Sequence, residues 1–162
     1  MSAGFSLIEM LVTIGIILVV LSMSIPFLTG SRRSYHLSQA TTAATGAIQA
    51  TRYRAIMTGC AYSITFTAAT TTYQLQTHVL TGTPPACAPT WSNVGAATPW
   101  GFSKDVSMGP TTTLQFCPNG MLIAATDICP GTVVDGIFTV SNGYTTNTIT
   151  VSGVGNVKVT SP

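Results

Sequence analysis

Glu9 is the residue whose position carries the most chemistry. Its carboxylate stands at the head of a run, Met10 to Ser31, that contains no charged side chain, and an acid there is costly unless it is paired or neutralised. No Lys or Arg lies within reach on the same stretch. The cation that could form locally is a free α-amino group, created if the chain is cut between Gly4 and Phe5. The plainer place for Glu9 is a headgroup boundary. Cys60, Cys87, Cys117 and Cys129 are an even set without a C-x-x-C pair, so thioredoxin-like chemistry and the common zinc spacings find no support. Disulfides are the simpler chemistry, and four cysteines allow three pairings. We favour Cys117 with Cys129, spanning the Asn119-Gly120 turn, and Cys60 with Cys87, stapling a helix end to a long loop. Such bonds imply an oxidising compartment.

Hydrolytic chemistry needs a nucleophile, a base and an orienting group. Only His36 and His78 supply imidazole, and Asp105, Asp127 and Asp135 flank turn signals, where aspartate ordinarily caps or is solvated. No phosphate-binding loop, H-E-x-x-H or calcium-loop pattern occurs. The reading is therefore no enzyme, no catalytic residues, no metal site and no cofactor. Six Lys/Arg against four Asp/Glu give a net charge of +2 in 162 residues, too little for strong attraction to nucleic acid. Lys158, with Asn156 near it and Lys104 the other head cation, is the one possible DNA contact, and no basic stripe accompanies it. Nucleic acid is not expected as a partner.

The elements that must position these groups follow from periodicity. With only 6% charged residues and a mean hydropathy of +0.45, the chain is not disordered. As a helix, Met10 to Ser31 would span roughly 33 Å, enough for a hydrocarbon core of about 30 Å. Met1 to Gly4 carries no basic residue and no clear A-x-A site follows Val20, which argues against a removed secretory signal. Arg32 and Arg33 follow the span, which by the positive-inside tendency would leave the remainder cytoplasmic; the cysteines argue the opposite. From Arg32 to Met57, Leu37, Ala40, Ala44, Ala47 or Ile48, Thr51 and Ala55 recur at three- and four-residue steps and form one helical stripe, closed by Thr58-Gly59. Phe5 to Met57 would then be a nearly continuous helix on the order of 80 Å long.

Past Gly59 the period becomes two. Tyr62 to Thr67 and Tyr73 to Thr77 read as a hairpin. Gly82 to Pro110 reads as a long loop that packs through Trp91, Trp100 and Phe102. Strands are expected over 112–117, 121–124, 136–141, 146–152 and 156–160, with Asn119-Gly120 and Asn142-Gly143 as turns. The twenty-eight threonines fit exposed β-structure, and O-glycosylation of a displayed surface is a weaker reading of them.

Gly4-Phe5-Ser6-Leu7-Ile8-Glu9 with the apolar run behind it resembles the processing and assembly motif of type IV pilins and type II secretion pseudopilins. By that resemblance a membrane peptidase cuts after Gly4, Phe5 becomes N-methylated, Glu9 pairs with the Phe5 amine during assembly, and Pro26 kinks the helix. Leu114-Gln115-Phe116 before Pro118-Asn119-Gly120, Gly136 to Val140 and Gly155 to Val159 look like the GspH/FimT group of minor pilins and pseudopilins. The implied fold is α+β and pilin-like, a long kinked N-terminal helix packed on an antiparallel β-rich head. Its expected parts are a leader (1–4), a transmembrane and filament-core helix (5–30), an amphipathic second helical half (31–59) and a globular head (60–162). The implied role is a minor pilin or pseudopilin, held in the bacterial inner membrane with its head outside before entering a filament. Its partners would be other pilin subunits, the prepilin peptidase and methylase, the inner-membrane assembly platform and lipid. A major pilin, or a DNA-binding minor pilin for uptake, is the alternative.

Overall fold

The computed structural model describes residues 6–81, 86–100, 105–126 and 129–162, and within these the side chains of 24–29, 79–81, 86, 88 and 89 are not described. Helix α1 runs Leu7–Thr58. Ten strands follow: β1 (Tyr62–Thr67), β2 (Thr72–Thr81), β3 (Ala86–Asn93), β4 (Thr98–Pro99), β5 (Ser107–Met108), β6 (Thr112–Phe116), β7 (Leu122–Ile123), β8 (Gly136–Ser141), β9 (Thr146–Val151) and β10 (Val157–Thr160). One sheet has the order β3-β2-β1-β6-β7, with β4 also on β2, and the other β10-β9-β8-β5; every pairing is antiparallel. The architecture is thus the expected α+β, a long N-terminal helix and an antiparallel β-rich head. The chain divides within α1 into two units, Met1–Tyr35 and His36–Pro162.

In the first unit the described side chains from Leu7 to Met23 are, apart from Glu9, Thr13 and Ser22, apolar or glycine, and exposed around the helix. Among the described residues no helix is long and apolar enough to cross a membrane. The span expected over Met10 to Ser31 includes 24–29, whose side chains lie outside the described ones, as does the side chain of Pro26 and the kink assigned to it.

In the second unit α1 buries the stripe read from the sequence, Leu37, Ala40, Ala44, Ile48, Thr51 and Ala55, and Thr41 beside it. Small alanines let the sheets approach the helix axis closely, so burial comes from the large side chains opposite. These are Ile64, Phe66, Leu114 and Phe116 of one sheet and Phe138, Val140, Ile149 and Val151 of the other. Phe66 and Phe138 stack with ring centroids 5.2 Å apart, joining the sheets. The buried hydroxyls of Thr41 and Thr51 donate to the carbonyls of Leu37 and Ala47 four residues back, which satisfies them inside the core. The helix ends at Gly59, whose φ of +69° is the left-handed C-terminal position that favours glycine.

One expectation is corrected. The region from Gly82 to Pro110 is not one long loop: β3, β4 and β5 lie in it, while 82–85 and 101–104, with Phe102 and Lys104, are outside the described residues. The ten-residue β2 is longer than the edge β1 can pair, and β3 and β4 occupy the rest of its free side. Ala-Cys-Ala-Pro-Thr-Trp has little intrinsic strand preference, so pairing and a covalent anchor decide its state. Cys87 of β3 is bonded to Cys60 just past the helix, and Cys117 to Cys129 across the β6–β7 turn.

Arg52 ties the helix to two turns. Its Nε donates to the Gly120 carbonyl and its Nη2 to the Val154 carbonyl, both at 3.0 Å. Gly155, at φ +81°, packs so closely that a β-carbon there would lie 2.7 Å from the Gly120 oxygen and 2.8 Å from Arg52 Cδ. Gly143 has a similar φ of +83° but open space around it. Gly155→Ala is therefore expected to destabilise the protein by about 3 kcal/mol, from backbone strain plus a clash with main chain. Gly143→Ala should lose only about 1 kcal/mol, from strain alone. Thermal unfolding of the two variants in detergent checks the difference, and equal losses would contradict this account.

Candidate functional site

The helix begins where the sequence motif lies. Ser6 precedes the first helical residue, and its carbonyl accepts from the Glu9 and Met10 amides at 3.0 and 3.2 Å. Ser6 is thus the N-cap and Glu9 the third helical residue, the Ser-x-x-Glu spacing of a capping box. The Glu9 side chain is exposed in the first turn, beside amides that have no partner within the helix and at its positive dipole end. Ser6 is the residue that motif reading passed over, and the Ser-x-x-Glu pattern is the signal that finds it. Gly4 and Phe5 lie outside the described residues.

Behind Glu9 the described surface of the helix up to Met23 is almost entirely apolar. Thirteen large apolar side chains between Leu7 and Met23 are each at least 52% exposed. The two hydroxyls described there turn inward: Thr13 donates to the Met10 carbonyl and Ser22 to the Val19 carbonyl. An element of this kind is stable only in apolar surroundings. Burying those side chains would release on the order of 20 kcal/mol or more before ordering terms.

The other candidate groups do not converge. His36 Nδ1 lies 3.8 Å from Asp105 Oδ2. His78 sits edge-on to Trp91, its cross-strand partner, with centroids 4.2 Å apart, and its Nε2 is buried with no hydrogen-bond partner among the described residues. Asp135 accepts from the Gly153 amide at 2.6 Å, holding a turn, and Asp127 lies outside the described residues. Among the described residues no group of three or more His, Cys, Asp or Glu could hold a metal ion. Lys158 stands exposed in the edge strand β10, its cross-strand neighbour Thr150 facing Ile137 in turn. That face carries hydroxyls and one cation, so the structure brings no second basic residue beside it there.

Burial lowers the His78 pKa below its ordinary 6.5, because desolvation disfavours the imidazolium. The unfolded chain therefore binds more protons than the folded one in the window just below 6.5, and stability rises with pH there. The contribution is fully present above 6.5 and is lost as pH falls through the folded-state value. An NMR titration should place the His78 midpoint below that of a free imidazole. His78→Phe should flatten the pH dependence of unfolding just below pH 6.5; a midpoint at or above 6.5 would contradict the burial argument.

With that geometry in hand, comparison with known proteins adds one match at the N-terminus. A family model described as the prokaryotic N-terminal methylation motif matches residues 1–25. No curated protein matches the chain. Among solved structures the chain is similar to the type IV minor pilin FimU of Pseudomonas aeruginosa in two crystal forms. The first gives a TM-score of 0.49 at 19% identity over 82% of this chain and 96% of that one. The second gives 0.45 at 19% over 77% and 95%. The chain carries the prokaryotic N-terminal methylation motif at the head of a long helix in an α+β fold.

Proposed function

We propose that this chain is a structural subunit, a minor pilin or pseudopilin, of a type IV pilus or type II secretion pseudopilus, and that its work is assembly. The observation that carries the reading is the methylation motif over 1–25, whose helical part exposes thirteen large apolar side chains between Leu7 and Met23. In this reading the leader 1–4 is removed and 5–30 is the membrane and filament-core segment. Residues 31–59 mount the head, 60–162, on it. Cleavage falls between Gly4 and Phe5, Phe5 is N-methylated, and Pro26 bends the helix.

The physics of transfer fits the motif. Lipid tails and neighbouring apolar helices are nearly equivalent surroundings for Leu, Ile and Val, so hydrophobicity alone neither drives assembly nor sets its register. A charge pair does both. Glu9 in lipid is costly unless neutralised, and the new α-amino group of Phe5 on an adjacent subunit supplies the opposite charge at the one axial level where the two meet. The partners in this reading are the prepilin peptidase and methylase, the inner-membrane assembly platform and other pilin subunits. The disulfides fit a head kept in an oxidising compartment outside the inner membrane.

Intact mass and the N-terminal peptide of protein from its native membrane test this. The expected chain begins at methylated Phe5 and gains about four hydrogens on reduction, two for each disulfide. Glu9→Ala should be processed normally yet be missing from sheared filaments. A chain that still begins at Met1 or Ser2, or a Glu9→Ala protein that enters filaments at the wild-type level, would overturn the reading.

A further inference from the structure

One flank of α1 within the second unit forms the wall of an open groove of about 540 Å³. Gln49, Arg52, Tyr53 and Ile56 line one side and residues 155–157 the other. Arg52 is half-buried there, and its two hydrogen bonds go to neutral carbonyls, those of Gly120 and Val154. A guanidinium has five N–H donors, so three are left over, and among the described residues no carboxylate pairs with it. The carbonyls orient its plane, and Gly155 leaves room for Arg52 where a β-carbon would crowd it. The side-chain amides of Gln49 and Asn156 line the same space as further donors. Beside them Tyr53 and Ile56 are 63% and 46% exposed, with Met57 and Val154 also exposed.

A fixed guanidinium with unused donors, next to an apolar wall, matches a carboxylate on an apolar stem. We propose that this groove docks a protein partner through such a carboxylate, with Arg52 holding its oxygens and Tyr53 and Ile56 covering the apolar residue that bears or flanks it. Charge complementarity calls for an anion, and with Arg52 the one cation among the described groove residues a single carboxylate fits better than the run of phosphates in nucleic acid. Val157 faces the groove while Lys158, next in β10, takes the opposite face by strand alternation, so Arg52 is not the start of a basic track. The proposal rests on the second unit alone and stands whether or not the chain enters a filament.

The test is NMR of the full-length chain in detergent micelles, titrated with N-acetyl-leucine at fixed pH and ionic strength. N-acetyl-leucinamide serves as the neutral control and a single-stranded oligonucleotide as a separate arm. The acid should shift the Arg52 Nε–H and Asn156 side-chain amide signals saturably, and the amide should bind at least about tenfold more weakly, as expected for loss of a charge-assisted hydrogen bond. Asn156→Asp places a carboxylate beside Arg52 and should weaken the acid by about tenfold. The Asn156 hydrogen bond at the turn is made by its backbone amide, so that bond survives the change. Tyr53→Ser, at an exposed position, should weaken binding with the fold intact and decides the matter if Asn156→Asp does not fold. Equal responses to acid and amide, unchanged binding in both variants, or saturation of the same signals by the oligonucleotide at lower concentration would each overturn the proposal.

Discussion

One helix has to be stable in two different surroundings, and the rest of the molecule is arranged around that demand. Up to Met23 the large apolar side chains of α1 are exposed, and surface of that kind is stabilised by apolar surroundings. From Leu37 onward the same helix turns a narrow stripe of mostly small residues into a core made by two sheets. A helix with propensity and a half-polar surface needs little else. One with an apolar surface throughout needs an apolar medium.

The head compensates for its scarcity of charge with neutral contacts. Asn147 of β9, buried, donates to Thr41 Oγ1 on α1 and accepts from Ser161 beyond β10, so three distant segments share one satisfied network. Thr65 and Thr113 pair across β1 and β6 at 2.9 Å, and Gln76 reaches Asn93 across β2 and β3. Such hydroxyl and amide ladders keep the sheet faces wet without ionic groups. Arg52 is the exception: a charged side chain used as a clamp on backbone carbonyls, holding the β6–β7 and β9–β10 turns to the helix. Its dependence on Gly155 shows how little room that clamp leaves.

Much of the architecture was legible because it is local. The three- and four-residue recurrence of Leu37, Ala40, Ala44 and Ile48 can be satisfied only by one helical face, and Tyr62, Ile64 and Phe66 alternate as a half-buried strand must. Gly59 and Gly143 mark positive-φ positions that other residues resist. The strand β3 was not legible: Pro89 and two alanines surround Cys87, and what makes that segment extended is an available edge on β2 and a covalent tie to Cys60. Ser6 was legible in principle, since capping spacing is local, but it was masked by the stronger signal of Glu9.

The sequence by itself determined that the chain has an apolar helical start headed by an acid, an amphipathic continuation and a β-rich remainder with an even cysteine set. Those features are written in charge, periodicity and count, which act over a few residues. Only the tertiary structure decided which turns Arg52 would bind, that Asn147 would meet Thr41, that β3 would complete the first sheet, and that His36 would face Asp105 while no three of the described His, Cys, Asp and Glu gather. Each of these depends on contacts between segments tens of residues distant, where many pairings are sterically open. The choice among them is made by packing the whole core at once.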